Sequence, residues 1–303
     1  MKRRDFIKTS AAGIAGFSLL PAFLRSQDRP SLSVNPPDVV WIENGEPEEL
    51  IRAAIGEFGG IEQFISKGDV VVIKPNIGFD RMPRQAATTN PDLVAEVVKQ
   101  CRQAGAKKVK VFDRSTNNPQ RCYYNSEIEK KAKAAGAQVY HVYEHRFKEI
   151  ELPNGEVIKK WPIYVDYIEA DKTINIPIAK QHSMDRVTLG QKNLMGIMGG
   201  NRGEIHNGFS KKLADITSAI MPTFTIIDAY RILTANGPSG GSTGDVKTTR
   251  TLIMSRCTVT ADYAALPLFD LSVNQVGHIS EMVERGQQKC DLDNLKLRKI
   301  VLS

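Results

Sequence analysis

The chain has 303 residues, 41% hydrophobic and 25% charged, with a formal net charge of +7, the make-up of an ordinary globular protein. Residues 1–26 hold Lys2, Arg3, Arg4, Lys8 and Arg25 against Asp5, so the rest of the chain carries only about +3. That small surplus, with no basic stripe interleaved with aromatics, excludes a nucleic-acid partner. Cys101, Cys122, Cys257 and Cys290 form no C-x-x-C pair, which argues against a zinc ribbon or an iron–sulfur cluster.

Lys2-Arg3-Arg4-Asp5-Phe6-Ile7-Lys8 resembles a twin-arginine export signal. The apolar run Ala11 to Leu24 that follows is short for a membrane span. The expected organisation is a signal over 1–26, a polar linker over 27–37 and one α/β domain over 38–303. Export places the protein in the periplasm or on the outer face of the cytoplasmic membrane, with the twin-arginine translocon as a partner in transit.

Asp38 to Ile42 is expected as a first strand and Glu46 to Phe58 as an amphipathic helix entered at Pro47. Val70 to Ile73 is a continuous apolar run, the mark of a strand buried on both faces, and it ends in Lys74-Pro75-Asn76. Asn90-Pro91 reads as the cap and first turn of a helix that stops at Gly105. Further expected strands are Lys108 to Phe112, Gln138 to Tyr143, Lys172 to Ile176, Thr223 to Ile227 and Leu252 to Met254. Further expected helices are Glu127 to Ala135, one ending near Ile220, Val259 to Leu268 and Gln275 to Arg285. A hairpin is expected over 147–160 around Pro153-Asn154-Gly155.

Strands alternating with helices imply a mostly parallel sheet with helices on both faces and a small β-hairpin insertion. Five strands end in polar groups: Lys74 with Asn76, Asp113, Asn175, Asp228, and Ser255 to Cys257. Carboxyl ends of parallel strands share one edge, where ligands of open α/β sheets bind, so these groups are expected along one site. The glycine-dense loop Thr234 to Gly244, with Asn236, offers backbone amides to an anion. Asp262 is a further group expected to reach this edge.

The stretch Asn175 to His206 is the densest in chemistry-bearing groups: Lys180, His182, Lys192, Asn193 and His206. His182 and Lys192 are ten residues apart, and His206 is fourteen further on, so they meet only if the chain folds back on itself. Imidazole titrates near neutral pH and suits proton transfer. Lys74, Asn76, Asp113, Asn175, Lys180, Asn193, Asp228 and Asn236 are the expected substrate-binding groups, and the substrate expected is a small anionic molecule.

Ile73-Lys-Pro-Asn76, Val111-Phe-Asp113, Ile174-Asn-Ile-Pro177, Lys180-Gln-His182, Lys192-Asn-Leu-Met-Gly196, His206 and Asn236-Gly-Pro238 occur in that order. Over roughly residues 68–268 they resemble the domain-of-unknown-function 362 family. Some members of that family carry ferredoxin-like cysteine motifs, which this chain lacks. The order and spacing of His182, Lys192 and His206 are similar to the active-site region of nickel-dependent lactate racemases. That resemblance implies a metal, nickel with an organic cofactor, with Lys192 as anchor, His182 as proton carrier, and His206 with His182 as metal ligands. The function it implies is a metal- or cofactor-dependent enzyme on a small anion such as a hydroxy acid. The alternative is a non-catalytic periplasmic binding protein, or an accessory protein with a redox-enzyme partner.

Overall fold

The structure, a computed structural model, describes residues 36–303; the expected signal and almost all of the linker lie outside the described residues. The strands are β1 (Val39–Glu43), β2 (Val70–Pro75), β3 (Lys108–Val111), β4 (Gln138–Val139), β5 (Phe147–Glu151), β6 (Lys160–Tyr164), β7 (Lys172–Ile176), β8 (Ile178–His182), β9 (Arg186–Thr188), β10 (Phe224–Leu233), β11 (Val246–Ser255) and β12 (Leu297–Val301). The main sheet runs β12-β1-β11-β10-β7-β2-β3-β4, with β8 on β10 and β9 on β8, while β5 and β6 form the separate expected hairpin. From β10 through β7, β2 and β3 to β4 every pairing is parallel. Strand β11 is the exception in the main path, antiparallel to both β1 and β10.

The helices are α1 (Pro47–Glu57), α2 (Pro91–Gln103), α3 (Pro119–Asn125), α4 (Ile128–Ala134), α5 (Val165–Glu169), α6 (Gly190–Asn193), α7 (Phe209–Ala219), α8 (Thr258–Ala265) and α9 (Gly277–Glu284). Asn90 caps α2 by accepting from the Asp92 amide at 3.0 Å, with Pro91 in its first turn, as the sequence implies.

Consecutive strand residues point to opposite faces, and here both faces are covered. Val71 and Ile73 pack with Leu50 of α1, Val97 of α2 and Ala132 of α4, while Val72 between them packs with Leu213 and Ile216 of α7. Likewise Ile226 joins the first face, and Ile227 and Ile253 meet α8 and α9 on the other. This is why Val70 to Ile73 reads as an unbroken apolar run rather than an alternating one.

Four expectations are corrected. The strand foreseen over Gln138 to Tyr143 pairs only at Gln138–Val139. Strands β10 and β11 are ten residues each, so the glycine-dense Thr234 to Gly244 loop is the connection of a long hairpin. Because β11 is antiparallel, Thr225 pairs with Ser255; the Ser255 to Cys257 cluster therefore lies at the opposite edge from the ends of β2, β3 and β7. The stretch expected as loops around a helix contains β8 and β9, which extend the sheet beyond β7. Among the described residues no helix is long and apolar enough to cross a membrane.

Candidate functional site

A cleft of about 370 Å³ opens at the carboxyl edge of the parallel strands. Lys74, Asn76, Asp113, Lys180, His182, Lys192, Asn193 and His206 all line it, whereas Asn175, Asp228 and the Ser255 to Cys257 cluster do not.

The floor is a buried polar network. Lys74, last but one in β2, pairs with Asp113 at 2.9 Å and donates to Asn193 Oδ1 at 2.8 Å. Asn76 Nδ2 donates to the same oxygen at 3.0 Å. Asn193 Nδ2 donates back to the Lys74 carbonyl at 3.2 Å and to Asn175 Oδ1 at 2.8 Å. Asn175 Nδ2 reaches the Gly190 carbonyl at 2.9 Å. A primary amide offers two donors and two acceptor sites, so Asn193 is saturated. Together with Asn175 it fixes α6 to the strand ends and leaves nothing for a ligand. Burial pushes the Lys74 pKa down, against the Asp113 charge that favours the ammonium.

Asp262 holds α6 from below: its carboxylate accepts from the Gly190 and Gln191 amides at 2.6 and 2.9 Å. Gly196 lies where a Cβ would come within 1.7 Å of Asp113 Oδ1 and 2.6 Å of Lys74 Nζ. The backbone there must be bare for the ion pair to close beneath it.

His182 ends β8, and the chain turns directly over its ring. Its Nδ1 accepts from the Met184 and Asp185 amides at 3.2 and 3.4 Å. An imidazole that accepts at Nδ1 and is neutral carries its hydrogen on Nε2. Burial, with the charges of Lys192 and Lys180, pushes its pKa down to about 3. The near-neutral titration expected of His182 is therefore absent, and its Nε2–H is a fixed donor. Lys180, wholly buried, donates to the Ala87 carbonyl at 2.6 Å and lies 4.4 Å from the centre of the Phe79 ring. Burial chiefly, and the neighbouring Lys74 and Lys192 charges, bring its pKa down to about 7.

Lys192 Nζ touches the carboxylate of Asp185 and lies 4.4 Å from the Phe209 ring centre. Burial pulls its pKa to about 7, while a carboxylate contact works in the opposite direction. The exposed His206 ring stacks on Phe209, with centroids 5.3 Å apart.

Two expected ligand contacts are corrected. Asp228 is buried and already engaged, accepting from the Asn90 amide at 2.7 Å and the Tyr230 amide at 3.1 Å, so it secures the start of α2. Asn236 is exposed and bonded to Asp245 at 2.9 Å; Pro238, two residues on, lines the cleft instead. The sequence reading missed Arg114 and Arg202 in the lining, and also Asp185. A lone arginine after a strand and another in a glycine-rich turn carry no spacing signal.

The expected metal ligands do not fit a protein-held ion. Among the described residues no three His, Cys, Asp or Glu side chains form a group able to hold one. With Nδ1 occupied by amides and hydrogen on Nε2, His182 offers no lone pair, which leaves His206 alone.

In comparison with known proteins, a thylakoid-associated protein of Synechocystis sp. is 24% identical over 212 residues, 67% of this chain and 65% of that protein. The lactate racemase apoprotein from Thermoanaerobacterium thermosaccharolyticum aligns over 73% of this chain and 55% of its own, at 13% identity and a TM-score of 0.43. A protein from Thermotoga maritima aligns over 68% and 55%, at 10% identity and a TM-score of 0.38. The chain thus spans under two thirds of each of these proteins. The model of one family, domain of unknown function (DUF362), matches residues 71–267, and the chain belongs to that family.

Proposed function

We propose that the protein binds a small hydroxy or oxo carboxylate in this cleft and catalyses proton transfer on it, with Lys192 as the acid–base group. The observation that carries this reading is a buried amine in contact with the Asp185 carboxylate, set in a cation-lined cleft beside an imidazole donor, with burial drawing its pKa down towards 7. Perturbed groups in a cleft mark functional sites, and an acid–base group works best with its pKa near the operating pH. In the forward step the neutral Lys192 amine takes a proton from the carbon beside the carbonyl. The C–H electron pair becomes the carbon–carbon double bond and the carbonyl π pair moves to the oxygen as an enolate, Asp185 faces the new ammonium, and His182 Nε2–H donates to the enolate oxygen.

The test uses pyruvate and 2-oxoglutarate in deuterated water, followed by proton NMR. Deuterium is expected to enter beside the carbonyl with the wild-type chain and to fall to the uncatalysed rate with Lys192→Met. Stabilisation by the acids without exchange would leave a binding or accessory protein. No stabilisation by any small anion would remove the reading altogether. Export remains part of the proposal and rests on Arg3 and Arg4 in the sequence. Replacing both by lysine is expected to leave the protein in the cytoplasm, and unchanged export of that variant would refute it.

A further inference from the structure

The charges around the cleft do not balance. Lys74 faces Asp113 at 2.9 Å, Arg114 faces Glu144 at 3.0 Å, and Lys192 touches Asp185. Lys180 and Arg202 line the same cleft, yet among the described residues neither has a carboxylate within 4.0 Å. Their hydrogen bonds go to neutral carbonyls: Lys180 to Ala87, and Arg202 to Arg114 at 2.9 Å and Ser115 at 3.5 Å. Lys180 adds only the face of the Phe79 ring, and a buried cation without a carboxylate partner is poorly compensated.

The two cations also come from different sides. Lys180 is on β8, which continues the line of β7 beside β10, whereas Arg202 is held by the carbonyls that follow β3, and β2 lies between those two lines. Neighbouring strands stand about 4.8 Å apart, so one small anionic group cannot sit against both anchoring backbones. On the wall, the Thr188 hydroxyl is buried, lines the cleft and has no partner among the described residues.

We propose that the cleft selects small molecules with two separated anionic groups, one answered by Lys180 and the other by Arg202, with Thr188 donating to an oxygen between them. This rests on the small-anion reading above and narrows it to dicarboxylates and phosphorylated carboxylic acids. Both cations act by binding and leave the acid–base role to Lys192. The charge of Lys180 follows its surroundings: burial and the Lys74 and Lys192 charges hold its pKa near 7, against the pull of Asp113. An anion at its Nζ draws a proton back, so dianion binding takes up a proton near pH 8.5 and none near pH 6.

Calorimetric titration of the full chain tests this with two matched pairs, lactate against malate and glycolate against phosphoglycolate, in buffers of different ionisation heat. Each dianion is expected to bind about tenfold or more tightly than its monoanion, the effect of one added charge-assisted hydrogen bond. Arg202→Gln and Lys180→Met are each expected to weaken the dianion much more than the monoanion, whose single charge can use the cation that remains, and Lys180→Met to abolish the proton uptake. Should Lys180→Met fail to fold, Arg202→Gln, on a half-buried side chain, decides alone. Equal affinity for both members of each pair, or equal weakening of both by Arg202→Gln, overturns the two-anion proposal and leaves the small-anion reading standing. Absence of binding by all four acids overturns both.

Discussion

His182 couples the chemistry of one side chain to the shape of a turn. Its Nδ1 holds the Met184 and Asp185 amides, which places Asp185 against Lys192, and its Nε2–H remains for a ligand. Asparagine can put an amide oxygen where Nδ1 stands, so His182→Asn keeps the turn and loses the donor. His182→Ala loses both. The expected outcome is a His182→Asn protein with a urea midpoint close to wild type and ligand affinity lower by about tenfold, the effect of one hydrogen bond to a charged group. For His182→Ala, stability should also fall, by about 1–3 kcal/mol, because two amides lose their acceptor. Equal stability losses in the two variants would show that Nδ1 does not organise the turn.

At the scale of elements, the legible parts were those whose pattern is local. The apolar run of β2, the Asn90-Pro91 cap of α2 and the Pro153-Asn154-Gly155 hairpin each follow from a few adjacent residues. Strand β8 was not legible because its buried positions include Lys180 and His182, which on pattern alone belong to a loop. The direction of β11 was hidden for a different reason. Its outer half, Val246 to Arg250, is polar and partly exposed, so only the buried inner half reads as a strand. The candidate site was legible in its histidines, in Lys192 and in the strand-end groups. The role of Asn193 was not, because saturation of an amide by partners over one hundred residues away is a tertiary fact. Gly196 joins these levels. Gly196→Ala puts a methyl group into the space of the Lys74–Asp113 pair, so either the pair opens or α6 moves away. A loss of about 1–3 kcal/mol or more is expected from overpacking, along with loss of ligand binding, both measurable by denaturation and titration. A fully stable, fully binding Gly196→Ala protein would mean that the network tolerates displacement.

Across the whole molecule, the buried ionisable groups set an unusual dependence of stability on pH. Asp228 and Asp262 have pKa values pushed up by burial, to about 6 and about 7. The folded state therefore holds more protons than the unfolded chain between about pH 4 and 7, and stability falls with rising pH there. His182 and His278, both near pKa 3 through burial, bind fewer protons folded than unfolded up to about pH 6.5, and stability rises with pH there. With His206, lowered in the same sense, on the histidine side, the two kinds offset one another only in part below neutrality. Lys180 and Lys192, at about 7, and Lys74, lowered in the same sense, meet no such opposition just above neutrality. From about pH 7 the unfolded chain keeps protons that folded Lys180 and Lys192 have released, so stability rises with pH, on the order of 1 kcal/mol per unit for each of these two. The rise ends near pH 8.5–9, where the unfolded chain begins to ionise its cysteines. Burial raises the thiols of Cys101, to about 12, and of Cys122 and Cys290, so the folded state then holds the extra thiol protons and this offsets the continuing rise from the lysines. Urea midpoints measured between about pH 6 and 10 should therefore rise from about pH 7 and level off above about pH 8.5, beyond the pH 5–8 range in which most proteins are most stable. In Lys180→Met the slope between pH 7 and 8.5 should diminish, because the substituted side chain no longer titrates in either state. A midpoint that falls steadily from pH 7 to 8.5 in the wild type would mean that these lysines keep ordinary pKa values, and with that the acid–base role of Lys192 would fail as well.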